Sequence, residues 1–505
     1  MNKRYLMALD QGTTSSRAIL FTFEGAIIAQ ASLEFTQHYP KPGWVEHDPA
    51  DILQTQIEAM RTCVRKGGID ASEIAGIGIT NQRETTLVWD RKTGQCVHNA
   101  IVWQCRRTAD RIEELHANGC DDMIRKKTGL IPDAYFSASK AAWILDTLDL
   151  RKKAEMGELC FGTVDSFLCW HLIEGHPHVT DATNAGRTML FNLQTQDWDD
   201  DLLSLFRVPR AMLPRVLDSA GIVGLLNRDI LGESIPVAAI AGDQHAALFG
   251  QACFAEGMVK NTYGTGCFML MNIGPSFRLS ENRLLTTMAW RLDGKPTYAF
   301  EGSVFIGGAA VQWLRDELKL IRTASETDEI ATSVKDTGGV YLVPAFTGLG
   351  APYWDMYARG TFVGMTRGTG RAHLIRAALE SIAFQSADLF ACMSRDSGAT
   401  PQVLRVDGGA SANRFLMQFQ SDILNTAVQR PAVAETTGLG VALMCGLALG
   451  IYTSLEDTAR NWHSVDTFTP SMPREERNAR LHDWERAVKA AQYYAQLRNE
   501  KENPA

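Results

Sequence analysis

The sequence predicts an α/β protein of two related halves that face one cleft, and three observations lead to this prediction. The chain has 505 residues, about three times the ~150 residues of an average domain. Short apolar strands alternate with helical patterns, which favours layered α/β architecture. A hairpin with a Gly-Thr turn occurs once in each half, at residues 12–14 and 264–266. We therefore place the domain boundary near residue 250, which gives domains 1–250 and 251–505.

In the first half, the predicted strands lead into turns that carry polar side chains. These strands cover residues 6–9, 17–23, 77–79, 86–89 and 237–241. The first two form a hairpin around residues 10–14, and the third leads into residues 80–84. The last ends at Gly242 and Asp243, before a helix predicted over residues 244–251. Ligands of open α/β sheets collect at such strand ends, so these turns are candidate binding segments.

The second half repeats this pattern with different helices. The turn at 264–266 precedes a strand over 268–271, and apolar residues at helical spacing predict helices over 311–321 and 374–382. A strand over 403–406 leads into Asp407, Gly408 and Gly409, with a helix from near Ala412. The two hairpins therefore predict two related sheets.

Composition excludes several classes of protein. Hydrophobic residues make up 45% and charged residues 21% of the chain, which excludes wholesale disorder. The 50 Lys and Arg residues are outnumbered by 58 Asp and Glu residues, giving a net charge of −8. A general nucleic-acid binder needs a basic face, so we expect no nucleic-acid partner.

The sequence also predicts a cytoplasmic location without membrane insertion. Residues 1–11 lack the long apolar core of a signal peptide. The segment 436–455 has no charged residue but is interrupted by glycines, which favours a buried helix over a membrane span. None of the ten cysteines forms a CxxC pair, which is typical of scattered thiols in a reducing compartment.

Common nucleotide and metal motifs are absent from the sequence. The Walker pattern, a GxGxxG after a strand, HExxH and Cys/His zinc spacings all fail to match. The sequence instead has Asp10 before Gly12, Thr13 and Thr14, a turn that can aim N–H groups and hydroxyls at phosphate oxygens. The same composition also occurs in plain hairpin turns. The second Gly-Thr turn and the glycines after Asp407 favour a phosphate clamp with two sides.

Asp243 is the candidate general base. It follows an apolar strand and precedes a helix, where a carboxylate can accept the proton of a hydroxyl that attacks phosphorus. The alternative is that Asp243 only caps the helix that follows it. Arg83 and Glu84 pose a similar choice, since they are either a solvated surface pair or an inward pair that binds a polyhydroxylated substrate. Trp103, Tyr135 and Phe268 are either core aromatics or the walls of that pocket, and the sequence alone leaves these alternatives open.

Long segments of the chain resemble the FGGY carbohydrate kinases that act on glycerol, within the actin and sugar-kinase ATPase superfamily. They are LDQGTTSSRA (9–18), YPKPGWVEHDP (39–49), GITNQRETT (78–86), NAIVWQCRRT (99–108), AGDQHAALFGQ (241–251), KNTYGTGCFMLMN (260–272) and VPAFTGLGAPYWD (343–355). Residues 135–146 and 360–380 are similar to the two recurring FGGY patterns, although Ala141 is smaller than the residue usual there. The resemblance runs from residue 4 to 495. It implies two ribonuclease-H-like domains of the actin-like ATPase fold, with the active-site cleft between them.

The resemblance also implies roles for individual residues in the phosphorylation of glycerol by ATP and Mg²⁺. Asp243 and Asp10 are implied as the catalytic residues and as the carboxylates that hold Mg²⁺, with Asp243 as the base. The implied substrate-binding residues are Arg83, Glu84, Trp103, Tyr135, Asp243, Gln244 and Phe268. The implied nucleotide-binding residues are Thr13, Thr14, Ser15, Arg17, Thr265, Gly308, Gln312, Gly409 and Asn413.

Some segments depart from the family pattern. Enteric members carry a Gly-rich, Arg-containing loop for fructose-1,6-bisphosphate, but residues 226–235 here lack the glycine cluster. Residues 473–478 also differ from the surface that binds the sugar-transport phosphocarrier protein, so neither form of regulation is predicted. Family members are often homodimers or homotetramers, which is the assembly the resemblance implies. The rivals are an FGGY kinase for xylulose or ribulose and a non-catalytic nucleotide-binding module. The second rival conflicts with the presence of both Asp10 and Asp243.

Overall fold

The computed structural model describes residues 3–502, and strands and helices alternate along most of it. The strands are β1 Tyr5–Gln11, β2 Ser15–Thr22, β3 Ile27–Glu34, β4 Gln37–His38, β5 Glu46–His47, β6 Ile74–Asn81, β7 Leu87–Asp90, β8 Ala100–Ile101, β9 Leu159–Gly162, β10 Val179–Asp181, β11 Phe191–Asn192, β12 Asp197–Trp198, β13 Arg215–Leu217, β14 Ala220–Leu225, β15 Pro236–Gly242, β16 Val259–Tyr263, β17 Cys267–Gly274, β18 Leu285–Leu292, β19 Lys295–Val304, β20 Tyr341–Val343, β21 Thr361–Val363, β22 Val403–Asp407, β23 Ala427–Pro431 and β24 Ser464–Phe468.

The helices connect these strands and cover the sheets. They are α1 Pro49–Gly67, α2 Ala109–Ala117, α3 Asp121–Thr128, α4 Ser137–Thr147, α5 Arg151–Glu155, α6 Val164–Leu172, α7 Ala182–Ala185, α8 Asp200–Phe206, α9 Arg228–Leu231, α10 Asp243–Gly250, α11 Gly308–Asp316, α12 Glu326–Thr332, α13 Arg371–Ser397, α14 Arg414–Leu424, α15 Thr436–Ala448, α16 Leu455–Ala459 and α17 Arg474–Glu502. Short 3₁₀ turns occupy Ala71–Glu73, Arg210–Met212 and Gly409–Ala412.

Two large sheets share one motif, as the paired hairpins predict. The first sheet has the order β14-β15-β6-β1-β2-β3, and the second has the order β18-β19-β17-β16-β22-β23-β24. In the first, β1 runs antiparallel to β2 and parallel to β6. In the second, β16 runs antiparallel to β17 and parallel to β22. The prediction of an α/β protein with two related sheets is therefore confirmed.

Burial explains the central strands of the first sheet. In β1, every residue after Tyr5 is buried, as expected of a strand covered on both faces. The edge strand β3 exposes most of its residues, and the buried ones include Ala29 and Ala31, which pack toward α1. The first sheet therefore has an apolar centre, in which the strands β1, β6 and β15 lie side by side.

Helix α15 belongs to the second half of the chain but packs on the first sheet. Its residues Leu439, Val441 and Met444 share one apolar cluster with Leu6 of β1 and Ile19 of β2. This agrees with the prediction of a buried helix in residues 436–455, although the helix ends at Ala448 and Gly450 has a φ of 71°. Among residues 3–502, the structure has no helix that is both long enough and apolar enough to cross a membrane.

Two predicted helices differ from the observed ones at their ends. The helix predicted over 311–321 ends at Asp316, because the chain turns at Lys319, which has a φ of 55°, in the left-handed region. The helix predicted from Ala412 begins at Arg414, after a 3₁₀ turn, with Asn413 as its N-cap. The domain boundary near residue 250 stays a prediction; in the structure, α10 ends at Gly250 and β16 begins at Val259.

Candidate active site

Three neighbouring strands of the first sheet end at one edge. Because β6 pairs in parallel with both β1 and β15, the carboxyl ends of all three strands meet there. Asp10 is the penultimate residue of β1, Arg83 and Glu84 follow β6, and Asp243 follows β15. The fold thus brings together residues from three segments that are far apart in the sequence.

The turn that carries Arg83 and Glu84 is buried and conformationally unusual. Arg83 is 3% and Glu84 1% exposed, so the surface-pair interpretation of these residues is wrong. Glu84 has a φ of 60°, which costs a non-glycine residue about 1–3 kcal/mol. Its carbonyl accepts hydrogen bonds from the hydroxyls of Thr86 at 2.9 Å and Ser137 at 3.0 Å. These bonds hold the turn in a conformation that aims both charged side chains inward.

Four buried charges of alternating sign form a ring beneath this turn. Arg83 donates to both carboxylate oxygens of Glu301, with Nη1 at 2.7 Å and Nη2 at 2.8 Å. Arg187 donates to the same carboxylate at 3.1 and 3.3 Å, and its Nε donates to Glu84 at 2.6 Å. Burial opposes ionisation of Glu301, but the charges of Arg187 and Arg83 outweigh it and hold its pKa well below the usual range. Each buried charge therefore depends on its neighbours in the ring.

Asp243 lies against this ring but opens to the cleft. Nε of Arg83 is 3.1 Å from Oδ1 of Asp243, whose side chain is 33% exposed. The close approach requires glycine at 242, because a Cβ there would lie 2.7 Å from Cγ of Arg83. Asp243 is the first residue of α10, and the N-cap is Gly242, so Asp243 is not the helix cap. Its Oδ1 does accept the N–H of Gln244 at 2.7 Å.

Asp10 is a second carboxylate near Asp243. Nη1 of Arg17 lies 4.0 Å from Asp10 and 3.0 Å from Glu435. Burial raises the pKa of Asp10 to about 6; the charge of Arg17 lowers it in part, and the carboxylates of Asp243 and Glu435 raise it. The strand end therefore holds more negative charge than Arg17 balances.

Several polar atoms around the ring have no partner among residues 3–502. Arg83 uses one N–H of each terminal nitrogen for Glu301, which leaves one on each. Glu84 binds Arg187 through Oε1 alone, and Gln244 accepts from buried Lys260 through Oε1, which leaves its amide nitrogen available. Burial lowers the pKa of Lys260 to about 8. These donors and acceptors are suited to a small ligand that has several hydroxyl groups.

Two aromatic rings stand beside these polar atoms. The rings of Trp103 and Tyr135 meet edge to face at 5.5 Å, and Arg187 lies 5.6 Å from the ring centre of Tyr135. The indole Nε1 of Trp103 donates to the hydroxyl of Thr13 at 2.9 Å. Trp103 thus links the candidate phosphate turn of the first sheet to the candidate substrate pocket. Phe268 is half-buried near the start of β17, and its carbonyl accepts from Lys260 at 3.3 Å.

The remaining candidate residues lie at turns and helix starts. Thr13 and Thr14 occupy the turn between β1 and β2, where Ser15 begins the second strand. Thr265 is exposed at the second turn, which is tied to the start of α11 by Gly308 N–H donating to Gly264 at 2.8 Å. Gln312 is exposed on α11. Gly409 is exposed after β22, and Asn413 caps α14 by accepting from Leu416 at 2.8 Å.

Comparison with known proteins decides the family of this fold. The model of the FGGY family of carbohydrate kinases, N-terminal domain, matches residues 5–250, and the C-terminal domain model of that family matches residues 259–449. The chain belongs to the FGGY family of carbohydrate kinases. The resemblance of its motifs to that family is therefore confirmed.

Relatives of this FGGY kinase match it over nearly its whole length. It is 56% identical over 494 residues to a glycerol kinase of Caldanaerobacter subterraneus, covering 98% of this chain and 99% of the relative. It is 58% identical over 485 residues to a glycerol kinase of Solidesulfovibrio magneticus, covering 96% and 98%. A crystal structure of Plasmodium falciparum glycerol kinase with ADP has a TM-score of 0.91 and 35% identity, covering 97% and 99% of the two chains. A xylulose kinase from Lactobacillus acidophilus, at a TM-score of 0.85 and 21% identity over 99% of each chain, shares the fold.

The candidate site also contains residues that the sequence analysis missed. Arg187 lies just after α7, Glu301 lies within β19, and Lys260 lies within β16. Asp407, noted only as a strand end, accepts from Gln251 at 2.7 Å and from Thr436 at 2.8 Å. No local pattern marks the first three, because an isolated charge in a strand or after a short helix is recognised only through its buried partners. An Arg or Glu within an otherwise apolar segment is the one signal that could have found them.

Proposed function

We propose that this FGGY kinase transfers the γ-phosphoryl group of ATP to glycerol and releases ADP and sn-glycerol 3-phosphate, in glycerol catabolism. The observation that carries the proposal is a set of polar atoms on Arg83, Glu84 and Gln244 that have no hydrogen-bond partner among residues 3–502, beside the partly exposed carboxylate of Asp243. Glycerol has three hydroxyls and a thin carbon edge, which such a set can bind. The named activity of relatives at 56–58% identity supports glycerol as the substrate.

In this proposal, the ring positions glycerol before the reaction. Arg83 donates its two remaining N–H groups to substrate hydroxyls, and Glu84 accepts from them through Oε2. Gln244 donates through its amide, and the hydroxyl of Tyr135 contributes a further hydrogen bond. Trp103 and Phe268 pack against the carbon edge. An analogue without one of these hydroxyls leaves buried groups unpaired, which is the basis of strong discrimination.

Asp243 then acts as the general base. Its carboxylate accepts the proton of the terminal hydroxyl while that oxygen forms a bond to the γ-phosphorus and the bond from phosphorus to the β–γ bridging oxygen breaks. General-base assistance contributes about 10²- to 10⁴-fold, and positioning with charge neutralisation supplies most of the remainder in phosphoryl transfer.

Asp10 and Asp243 fit a magnesium ion. Among residues 3–502, no cluster of three or more His, Cys, Asp or Glu side chains could hold a metal by itself. Mg²⁺ instead binds typically through one or two carboxylates together with substrate phosphates. The excess negative charge that helps to raise the pKa of Asp10 suits such a site. When bound, Mg²⁺ neutralises charge on the phosphates of the nucleotide.

We assign the nucleotide to the two Gly-Thr turns and the glycine-rich segments beside them. Thr13, Thr14 and Ser15 would contact phosphates, and Arg17 would approach the ADP end. The other side of the nucleotide site would be lined by Thr265, Gly308, Gln312, Gly409 and Asn413. Exposure of Thr265, Gln312 and Gly409 leaves these positions open to a ligand.

We also place the enzyme in the cytoplasm, as a homodimer or homotetramer, with its domains at 1–250 and 251–505. All ten cysteines are free in the structure, which suits a reducing compartment where ATP is available. Analytical ultracentrifugation of the purified protein checks the assembly.

A coupled ADP-release assay tests the proposed reaction. Purified protein with MgATP is supplied in turn with glycerol, dihydroxyacetone, xylulose and ribulose. We expect strong release with glycerol. Release with a ketose but not with glycerol would retain the role of Asp243 and overturn the pocket assignment. Silence with every substrate, while ATP still binds, would indicate the non-catalytic nucleotide-binding module.

A further inference from the structure

One short buried segment contacts the backbone before Asp243, the end of β6 and the charge ring. The segment runs from Asp181 to Arg187 and includes the single turn of α7. Its residues are fully buried, although they include an aspartate, a threonine, an asparagine and an arginine. Buried polar groups are expensive unless each has a partner, so their partners indicate what the segment does.

Thr183 holds the backbone next to the proposed base. The N–H of Gly242 donates to the hydroxyl of Thr183 at 2.9 Å, and that hydroxyl donates to Asp181 at 2.9 Å. Asp181 is held in turn by the hydroxyl of Ser219 at 2.7 Å. The position of Gly242 fixes where the backbone of Asp243 begins, so this chain of hydrogen bonds sets the placement of the carboxylate.

Asn184 holds the end of β6. Its amide donates to Asn81 at 3.1 Å and accepts from the amide of Asn81 at 3.0 Å. The same amide nitrogen donates to Asp181 at 3.0 Å. Because Asn81 lies two positions before Arg83, this reciprocal pair anchors the start of the substrate-binding turn.

Arg187 closes the segment by holding the charge ring. It binds Glu84 at 2.6 Å and shares the carboxylate of Glu301 with Arg83. Its guanidinium also lies 5.2 Å from the ring centre of Phe136, next to Tyr135 in the chain. Arg187 therefore orients Glu84 directly and Arg83 through Glu301.

We propose that Asp181–Arg187 is the positioning element of this active site, in which Thr183 aligns the general base and Arg187 aligns the substrate-binding pair. The proposal rests on the proposed function. The proposal is specific, because Thr183 would control the kcat and Arg187 would control the KM for glycerol. A merely structural segment would lower stability without separating kcat from KM.

Three threonine variants test the first part. In Thr183→Val the hydroxyl is lost at constant size, and we expect kcat to fall about 10- to 100-fold, with the KM for glycerol changed less than the kcat. Thr183→Ser keeps the hydroxyl and should restore most of the kcat. The matched control is Thr180→Val, since the hydroxyl of Thr180 is also buried but donates at 2.6 Å to Asp165 rather than holding Gly242 or Asp181. The control should lower the melting temperature while the kcat stays close to that of the wild type.

Arg187→Lys tests the second part. It keeps the charge but loses the forked geometry, and we expect the KM for glycerol to rise about 10-fold or more while the KM for ATP changes little. Melting curves establish that each variant is folded. If Thr183→Val does not fold, Thr183→Ala, which also lacks the hydroxyl, takes its place.

The outcomes separate this inference from the proposed function. An inactive wild type with every substrate would overturn the function. An active wild type would overturn the positioning role if Thr183→Val kept its kcat, or if Thr180→Val lost as much kcat. Arg187→Lys with an unchanged KM for glycerol would likewise contradict the role of Arg187.

Discussion

Arg83 combines two tasks that its position in the sequence did not reveal. In the proposed function it donates N–H groups to glycerol, and in the structure it is a bidentate partner of Glu301, which is fully buried. Removing one member of a buried ion pair typically costs about 3–5 kcal/mol because the other charge is left uncompensated. Arg83→Ala would therefore lose stability together with substrate affinity, and a lysine is the cleaner substitution.

Arg83→Lys should raise the KM for glycerol while the protein stays folded. Lysine keeps the charge near Glu301, but its single ammonium cannot serve both Glu301 and the substrate. Loss of a charged hydrogen bond costs about 1.5–3 kcal/mol, or roughly 10- to 100-fold in affinity. Steady-state kinetics with varied glycerol measure this. Arg91→Lys is a matched control, because the guanidinium of Arg91 donates, within residues 3–502, to the carbonyls of Gly157, Leu159 and Ala211. An unchanged KM in Arg83→Lys would count against the pocket assignment.

Asp243→Asn should abolish most turnover while the chain keeps its fold. The amide cannot accept the hydroxyl proton, so kcat should fall by about 10²- to 10⁴-fold. Because the side chain is 33% exposed, the melting temperature should change little. The control is Asp146→Asn, which removes an exposed carboxylate that pairs with Arg151. Single-turnover measurement of ADP release separates chemistry from binding, and a wild-type rate in Asp243→Asn would contradict the role.

At the scale of elements, the sequence predicted the strands better than the helix ends. Strands such as β1 and β15 are short apolar runs bounded by polar turns, so their pattern is local. The end of α11 at Asp316 depends on the chain reversing at Lys319, which no periodic pattern reports. Arg83 and Asp243 could be proposed from the strand ends. Glu301 could not, because it lies in the middle of β19 and its role depends on pairing across the fold.

The contact between α13 and α17 should make stability depend on pH. Asp388 of α13 accepts hydrogen bonds from Trp484 of α17 at 2.8 Å and from Tyr353 at 2.9 Å. Burial raises the pKa of Asp388 to about 6, although these hydrogen bonds oppose the shift. The folded state thus binds this proton more tightly than the unfolded state, whose carboxyl has a pKa near 3.9. The stabilisation is complete below about pH 4 and is lost as the pH rises through about 6, by roughly 3 kcal/mol.

Asp388→Asn should therefore stabilise the protein at pH 7.5 and lose this advantage toward pH 4.5. The neutral amide keeps an oxygen that accepts from both donors and has no charge to bury. Melting temperatures at the two pH values measure the difference. Asp466→Asn serves as the opposite control, because hydrogen bonds from Arg414 and Arg430 hold the pKa of Asp466 below its usual range. That variant should be less stable than the wild type at pH 7.5. Equal stabilisation by Asp388→Asn at both pH values would contradict the argument.

At the scale of the whole molecule, the two halves are joined through the site. Glu301 comes from the second sheet and binds Arg83 and Arg187 of the first half, and Lys260 of β16 binds Gln244 of α10. Helix α15, also from the second half, covers the first sheet. Motifs with strand and turn signals could predict each half. The bonds of Glu301 to Arg83 and Arg187 join residues more than a hundred positions apart, and the bond of Lys260 to Gln244 joins residues 16 positions apart. They follow from the packed fold and leave no local signal in the sequence.

The crossing of α10 and α15 offers a test of this contact between the two halves. A Cβ at Gly440 would lie 1.8 Å from the carbonyl oxygen of Ala246, and one at Gly250 would lie 2.0 Å from that of Thr436. The two helices therefore cross with their backbones in contact, and neither backbone can yield without moving the helix that begins at Asp243.

Gly440→Ala should accordingly lower both stability and kcat. Overpacking of this kind costs about 1–3 kcal/mol, and relief of the clash would push α10 and its first residue out of place. Thermal melting and steady-state kinetics on the same preparation measure the two effects. Gly221→Ala is the control, because a Cβ at Gly221 in β14 would meet no atom within 4 Å. If Gly440→Ala melted earlier but kept its kcat, the crossing would hold the halves together without setting the position of Asp243. A wild-type melting temperature in Gly440→Ala would contradict the argument that the two helix backbones are in contact.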